Sequence, residues 1–129
     1  MTKKQPNNAG VKALIRIVEE IRELYPRMEI SQLSVLLHIL NKPGTTAADL
    51  VRATGLSKSA LSRAVRTLGS TAFTHDGDGS RREHGLNLIT QVPDVTDTRS
   101  NIIAPTRLGR NLGDRIDEII GEANGPTTG

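Results

Sequence analysis

In the stretch GLSKSALSRAVRTLG, Gly55 to Gly69, the residues Leu61, Val65 and Leu68 recur at i, i+4 and i+7, with Lys58, Ser59, Ser62, Arg63 and Arg66 between them. This spacing predicts an amphipathic helix with one face turned to a core and the other left polar. The pattern repeats along the chain. From Val11, the residues Leu14, Ile15, Val18, Ile21 and Leu24 or Tyr25 predict a first helix that ends at Pro26. Ser31 precedes Leu33, Leu36, Leu37 and Leu40, a nearly all-apolar second helix that Pro43 and Gly44 stop. That helix is expected to be the buried central one, with Ser31 at its start.

Thr46 followed three residues later by Asp49 is a capping box, in which hydroxyl and carboxylate satisfy free backbone N–H groups at a helix start. It opens a short third helix running to about Ala53. Gly55 then supplies a left-handed turn, and Ser57 is a good N-cap for the helix that follows. The result is a helix, a tight turn and a second helix, locked at a steep angle by Leu50, Leu56, Leu61, Val65 and Leu68. Farther on, Leu86, Leu88, Thr90 and Val92 alternate with Asn87, Ile89 and Gln91, and Asn101 to Ala104 make a second strand-like run. PDVTDTRS between them has the composition of a hairpin loop, with Arg99 near its end. Leu108, Leu112, Ile116, Ile119 and Ile120 stripe a last helix that Asn124, Gly125 and Pro126 stop.

Composition narrows what these elements serve. The chain has 129 residues, enough for one domain, with no Trp and one each of Phe and Tyr, so its core is aliphatic. No apolar run approaches the roughly 20 residues that cross a bilayer. MTKKQPNNAG lacks the apolar stretch of a signal peptide, and the first nine residues are expected to be flexible. The absence of cysteine removes disulfides, thiolate catalysis and Cys-ligated zinc, and suits a reducing compartment. A soluble, cytoplasmic protein is the expectation.

The net charge of +3 is unevenly spread. From Lys42 to Arg110 ten basic residues (Lys42, Arg52, Lys58, Arg63, Arg66, Arg81, Arg82, Arg99, Arg107, Arg110) face six acidic ones (Asp49, Asp76, Asp78, Glu83, Asp94, Asp97). After Gly113 the balance reverses, with Asp114, Asp117, Glu118 and Glu122 against Arg115. A polyanion is therefore drawn to the middle of the chain. Between Ser57 and Gly69 there is no acid at all, whereas a solvated helix face ordinarily mixes signs. The second helix of a helix-turn-helix enters the DNA major groove, where Ser57, Lys58, Ser59, Ser62, Arg63 and Arg66 could reach phosphates and base edges. A β-hairpin directly after it is a wing, which lies beside the duplex. The plain alternative is a surface helix that happens to be basic.

With these elements in place, the sequence resembles the MarR-type winged-helix transcriptional regulators. ISQLSVLLHILNKPGTTAADLVRATGLSKSALSRAVRTLG follows that family's helix order, and DTRSNIIAPTRLGRNL is similar to its wing and last helix. The resemblance covers about three quarters of the chain. Asp97 and Arg99 match the acidic and basic positions of the family's wing tip, while Thr106 and Gly109 match the Thr and Gly that begin its final helix. Val51, Thr98 and Pro105 depart from the family's frequent Ala, Arg and Leu. The resemblance implies a mainly α fold with a small β-hairpin wing. Asp97, Thr98 and Arg99 become wing contacts to DNA, with Arg99 suited to a narrow minor groove and Asp97 to holding it.

Residues Ser70 to His84, STAFTHDGDGSRREH, form an insertion between the recognition helix and the wing. Its glycines and aspartates suit a surface loop, and Arg81 and Arg82 could add phosphate contacts. DGDGS lacks the later bidentate Glu of a calcium loop, and His75 and His84 have no set of metal-ligating partners, so no metal or cofactor is assigned. His38 within LLHIL reads as a hydrogen-bonded core residue. The serines of the basic helix lack a base at a recognisable spacing and no phosphate-cradling glycine loop occurs, which argues against an enzyme.

The whole chain, 1–129, is expected to be a single winged-helix domain. Its DNA-binding part is 45–106, and the helices in 10–41 and 107–124 pack across a twofold axis to make a homodimer. Intrachain packing alone is the alternative for those stripes. The function expected is a sequence-specific, double-stranded DNA-binding regulator acting as a repressor. The other class is a protein-interaction module that docks a partner such as RNA polymerase without specific DNA binding. The resembled family has a cleft for a small-molecule effector between its dimer and DNA-binding regions, but the aromatic poverty here gives no sign of one.

Overall fold

The computed structural model describes residues 8–69, 85–94 and 96–124, together with the backbone but not the side chains of 94 and 97–100. Its elements run α1 (Ala9–Leu24), α2 (Ile30–Asn41), α3 (Ala47–Thr54), α4 (Lys58–Leu68), β1 (Ile89–Asp94), β2 (Asp97–Pro105) and α5 (Arg107–Ala123). The chain divides into two compact units, one made of Met1–Met28 with Asp114–Gly129 and the other of Glu29–Gly113. No described helix is long and apolar enough to cross a membrane.

In the first unit, α1 buries Ala13, Ile17 and Ile21, which recur every four residues on one side, and Ile119 of α5 is buried as well. Two ion pairs tie the separate stretches of sequence together. Arg115 forks onto Glu20, with Nε donating at 2.9 and 3.0 Å to the two carboxylate oxygens, and Arg16 reaches Glu122 at 2.8 Å. Hydrogen bonding to Arg115 holds the Glu20 carboxyl below its ordinary value, aided by the charges of Arg115 and Arg16.

In the second unit, Val35, Leu36 and Ile39 of α2 are fully buried beside Leu50, Leu61, Leu68, Leu88 and Ile103. The expected central helix is present with a different start. Its N-cap is Glu29, whose backbone N–H donates to Gln32 Oε1 at 2.9 Å in a capping box, so Ile30 and Ser31 lie within the helix. His38 Nδ1 lies 2.9 Å from the Ser34 carbonyl one turn back.

The strands pair antiparallel, with Gln91 opposite Ile103 and Val92 opposite Ile102, and a bulge between Pro93 and Asp94. Proline cannot donate to a ladder, and it sits here where the ladder is interrupted. The strands extend to Asp94 and from Asp97, so most of PDVTDTRS lies in strand and not in loop, although within it only Pro93, Asp94 and Asp97 have ladder partners. Thr45 joins the hairpin as an isolated bridge, its carbonyl accepting from the Ile103 N–H at 2.8 Å.

The alternation expected from Leu86 to Val92 does not hold. Leu88 and Ile89 are both buried, while Val92 is exposed. Asn87 takes a left-handed φ of 61°, which breaks the pleat just before β1 and lets consecutive residues face the core. The Thr106 hydroxyl donates to the Asn87 carbonyl at 2.7 Å, and the Gly109 N–H donates to the same hydroxyl oxygen at 3.0 Å. A Cβ on Gly109 would stand 2.1 Å from the Leu88 carbonyl oxygen, so only glycine lets α5 start this close to the strand.

Candidate nucleic-acid interface

The helix-turn-helix is made by short-range chemistry. The Thr46 hydroxyl accepts from the Asp49 N–H at 3.1 Å, and the Asp49 carboxylate accepts from the Thr46 N–H at 3.3 Å. These bonds, the backbone one foremost, hold the Asp49 carboxyl below its ordinary value, and the charges of Arg52 and Lys42 act the same way. At the other end of α3, Gly55 has φ 76° and donates its N–H to Val51 O at 2.9 Å. The Thr54 hydroxyl donates to Leu50 O at 2.7 Å and accepts from the Leu56 N–H at 3.2 Å, which fastens the turn from the side.

Helix α4 begins at an N-cap in extended geometry, where Ser57 Oγ accepts from the Ala60 N–H at 3.0 Å. Such a cap contributes about 1 kcal/mol. Leu61, Ala64, Val65 and Leu68 are buried, while Lys58, Ser59, Ser62, Arg63 and Arg66 are exposed. Among the described residues, none of Lys58, Arg63 and Arg66 is held in an ion pair. Three cations on an acid-free face are therefore open to an external anion.

That face has two sides. A groove of about 810 Å³ lies between α3, α4 and the hairpin, and Lys58, Ser62 and Arg66 line it from α4 at four-residue intervals. Ser59 and Arg63 are not among its lining residues and form the neighbouring ridge, one residue round the helix. The inner wall of the groove is apolar, with Val51, Leu61 and Val65. Arg52 lines the groove from α3, although no sequence motif singles it out; the signal available is its i+3 spacing from the capping Asp49.

Of the other candidate residues, Asp97, Thr98 and Arg99 begin β2 at the tip of the hairpin, with Asp97 paired to Asp94, but their side chains lie outside the described residues. Arg81 and Arg82 lie outside them too, as does the whole 70–84 insertion. The structure brings together Ser57, Lys58, Ser59, Ser62, Arg63 and Arg66 on one helix, with the hairpin strands forming the far wall of its groove.

Comparison with known proteins points the same way. Residues 27–68, from the approach to α2 through the end of α4, match the model of the MarR family. No curated protein sequence matches the chain at a significant level. Among solved structures, RV1404 from Mycobacterium tuberculosis superposes with a TM-score of 0.61 at 23% identity, over 88% of this chain and 67% of its own. The S. aureus MepR–DNA complex gives 0.63 at 19% identity, over 88% of this chain and 81% of the other. PcaV, a transcriptional regulator from Streptomyces coelicolor in complex with its natural ligand, gives 0.54 at 19% identity, over 96% and 81%. The five helices and the antiparallel hairpin are the winged-helix architecture of these proteins.

Proposed function

Because the chain has the MarR-type winged-helix fold and carries that family's helix-turn-helix, we propose that it is a transcriptional regulator that binds specific duplex DNA as a homodimer and represses by occupying its site. The observation that carries this reading is the outward face of α4, with exposed Lys58, Arg63 and Arg66 and no acid from Ser57 to Gly69. A face of that kind suits the phosphate-lined major groove, and one of the similar structures, MepR, is a complex with DNA.

In this reading Arg63 and Ser62 contact base edges, while Lys58 and Arg66 hold phosphates. Ser57 and Ser59 meet the backbone at the helix start, where the Ser57 oxygen caps the helix and its hydroxyl lies 3.4 Å from that of Ser59. The wing carries Arg99 into a neighbouring minor groove, positioned by Asp97 and accompanied by Thr98, and Arg81 and Arg82 add phosphate contacts. We infer a cytoplasmic location for a regulator of this kind.

The dimer rests on a different surface. On α1, Val11, Leu14 and Ile15 are 60%, 59% and 54% exposed, an apolar stripe too large for a helix facing water alone, and Ile120 of α5 is 41% exposed. A second copy covers them about a twofold axis, which places two α4 helices on half-sites about 34 to 36 Å apart. Selecting bound duplexes from a random pool tests the function directly. The expected product is a pseudo-palindrome with half-sites one helical turn apart, and recovery of no enriched sequence would contradict specific binding.

A further inference from the structure

The groove beside α4 has a cation on each of its helical walls. Lys58 and Arg66 stand on α4 and Arg52 on α3, where the Arg52 side chain is 71% exposed. Arg52 is held by one carboxylate. Its Nη2 donates to Asp49 Oδ1, while the other carboxylate oxygen, Oδ2, accepts from the Thr46 N–H at 3.3 Å. The two oxygens thus have separate duties, one capping α3 and one orienting the guanidinium. An arginine has five N–H donors, so a single bond to Asp49 fixes its direction and leaves the others for a second anion.

The first helix of a helix-turn-helix crosses the DNA backbone while the second lies in the major groove. An arginine on that first helix, in a groove shared with two cations of the second, is therefore placed at a strand of phosphates. The Asp49 charge does not cancel the site, since it is set against the amino end of α3, Arg52 and nearby Lys42 together.

We propose that Arg52 is a DNA-phosphate contact of the groove it shares with Lys58 and Arg66, and that Asp49 is the residue that positions it. This assignment rests on the DNA-binding reading of α4. The contact carries no base information, so Arg52 contributes to affinity and register but not to sequence choice.

The test is a fluorescence titration of the full chain against the duplex it selects and against an unrelated duplex, over a series of salt concentrations. Arg52→Ala is expected to weaken both duplexes alike, by roughly three- to tenfold near physiological salt, and to lower the slope of log K against log salt by about 0.9, one phosphate contact. Arg52→Lys is expected to keep the slope, because it keeps the charge. Asp49→Asn leaves an amide oxygen to accept from Thr46, so the helix stays capped. It is expected to weaken binding about two- to threefold in the wild-type background and to add nothing in the Arg52→Ala background, the mark of a residue acting through another. Thermal unfolding of each variant confirms that the folds compared are the same. If Arg52→Ala keeps wild-type affinity and slope while Arg63→Ala binds more weakly, Arg52 has no DNA role although the α4 reading stands. A wild-type protein that selects no duplex and shows no salt-dependent binding overturns both.

Discussion

Helix α1 buries Ala13, Ile17 and Ile21 and turns Val11, Leu14 and Ile15 to solvent, whereas α4 buries Leu61, Ala64, Val65 and Leu68 and turns Lys58, Ser59, Ser62, Arg63 and Arg66 outward. Both are amphipathic on their inner side, and that side explains only how each is held in its own unit. The outer sides differ in kind. Apolar surface left on α1 is stabilised by removal from water, which a second protein surface provides. The cations of α4, which make no ion pair among the described residues, keep their hydration until they meet a polyanion, whose condensed counterions are then released to the solution. One chain thus presents two outward faces that ask for different partners, and the two can be broken separately.

The largest effect is expected from the apolar face. Replacing Leu14 and Ile15 together by Glu should convert a dimer to a monomer by light scattering and lower affinity for a two-half-site duplex by about 100-fold or more, because linked half-sites no longer reinforce each other. Both side chains are exposed, so the change spares the core. Deleting residues 108–129 is a poorer test, since Leu112 and Ile119 are buried and their loss damages the fold itself. A double variant that stays dimeric would remove α1 from the interface.

On the polar face the expected changes are smaller and of two types. Arg63→Ala should cost about 1 to 3 kcal/mol and relax the preference at one base position, while Lys58→Ala should weaken all sequences alike and flatten the salt dependence. Equal loss of specificity from both changes would erase the distinction between ridge and groove. Smaller again is the wing. Arg99→Ala should weaken binding most on sites with A·T-rich flanks, and adding Asp97→Ala should cost little more. Unchanged affinity on every flank would leave the wing without a DNA role.

The smallest effect separates the units by acid. The carboxyls of Glu20 and Asp49 both lie below their ordinary values in the folded chain. The unfolded chain therefore takes up these protons first as pH falls. The stabilisation is complete above the ordinary carboxylate range and is lost as pH drops through the lowered folded values. Glu20→Gln should remove part of the acid sensitivity of unfolding, as followed by circular dichroism across that range. Both groups are only half-buried and remain screened by solvent, so a modest change is expected; an unaltered acid transition would mean that the Arg115 pair contributes nothing to folding.

Elements set by short-range chemistry were legible from the sequence. The capping box of Thr46 and Asp49, the left-handed Gly55 and the Ser57 cap each depend on residues within a few positions, and the structure has all three. The basic face of α4 followed from helical spacing alone. Helix α2 starts earlier than a Ser before an apolar run suggests, because Glu29 and Gln32 form the capping box and set the N-cap two residues before Ser31. The alternation expected from Leu86 to Val92 fails for a long-range reason. Asn87 is turned left-handed and held by Thr106, nineteen residues away, and period-two alternation cannot report that. The i+3 spacing of Arg52 from Asp49 is local, but its place in the groove depends on how α3, α4 and the hairpin pack together.

The central claim is that the exposed cations of α4 bind duplex DNA. Titrating the full chain with its selected duplex between about 50 and 200 mM salt tests it most directly. The account predicts that log K falls linearly with log salt, with a slope of several units that becomes shallower by about 0.9 when Lys58 is replaced by Ala. A flat salt dependence, or a slope that Lys58→Ala leaves unchanged, would contradict it.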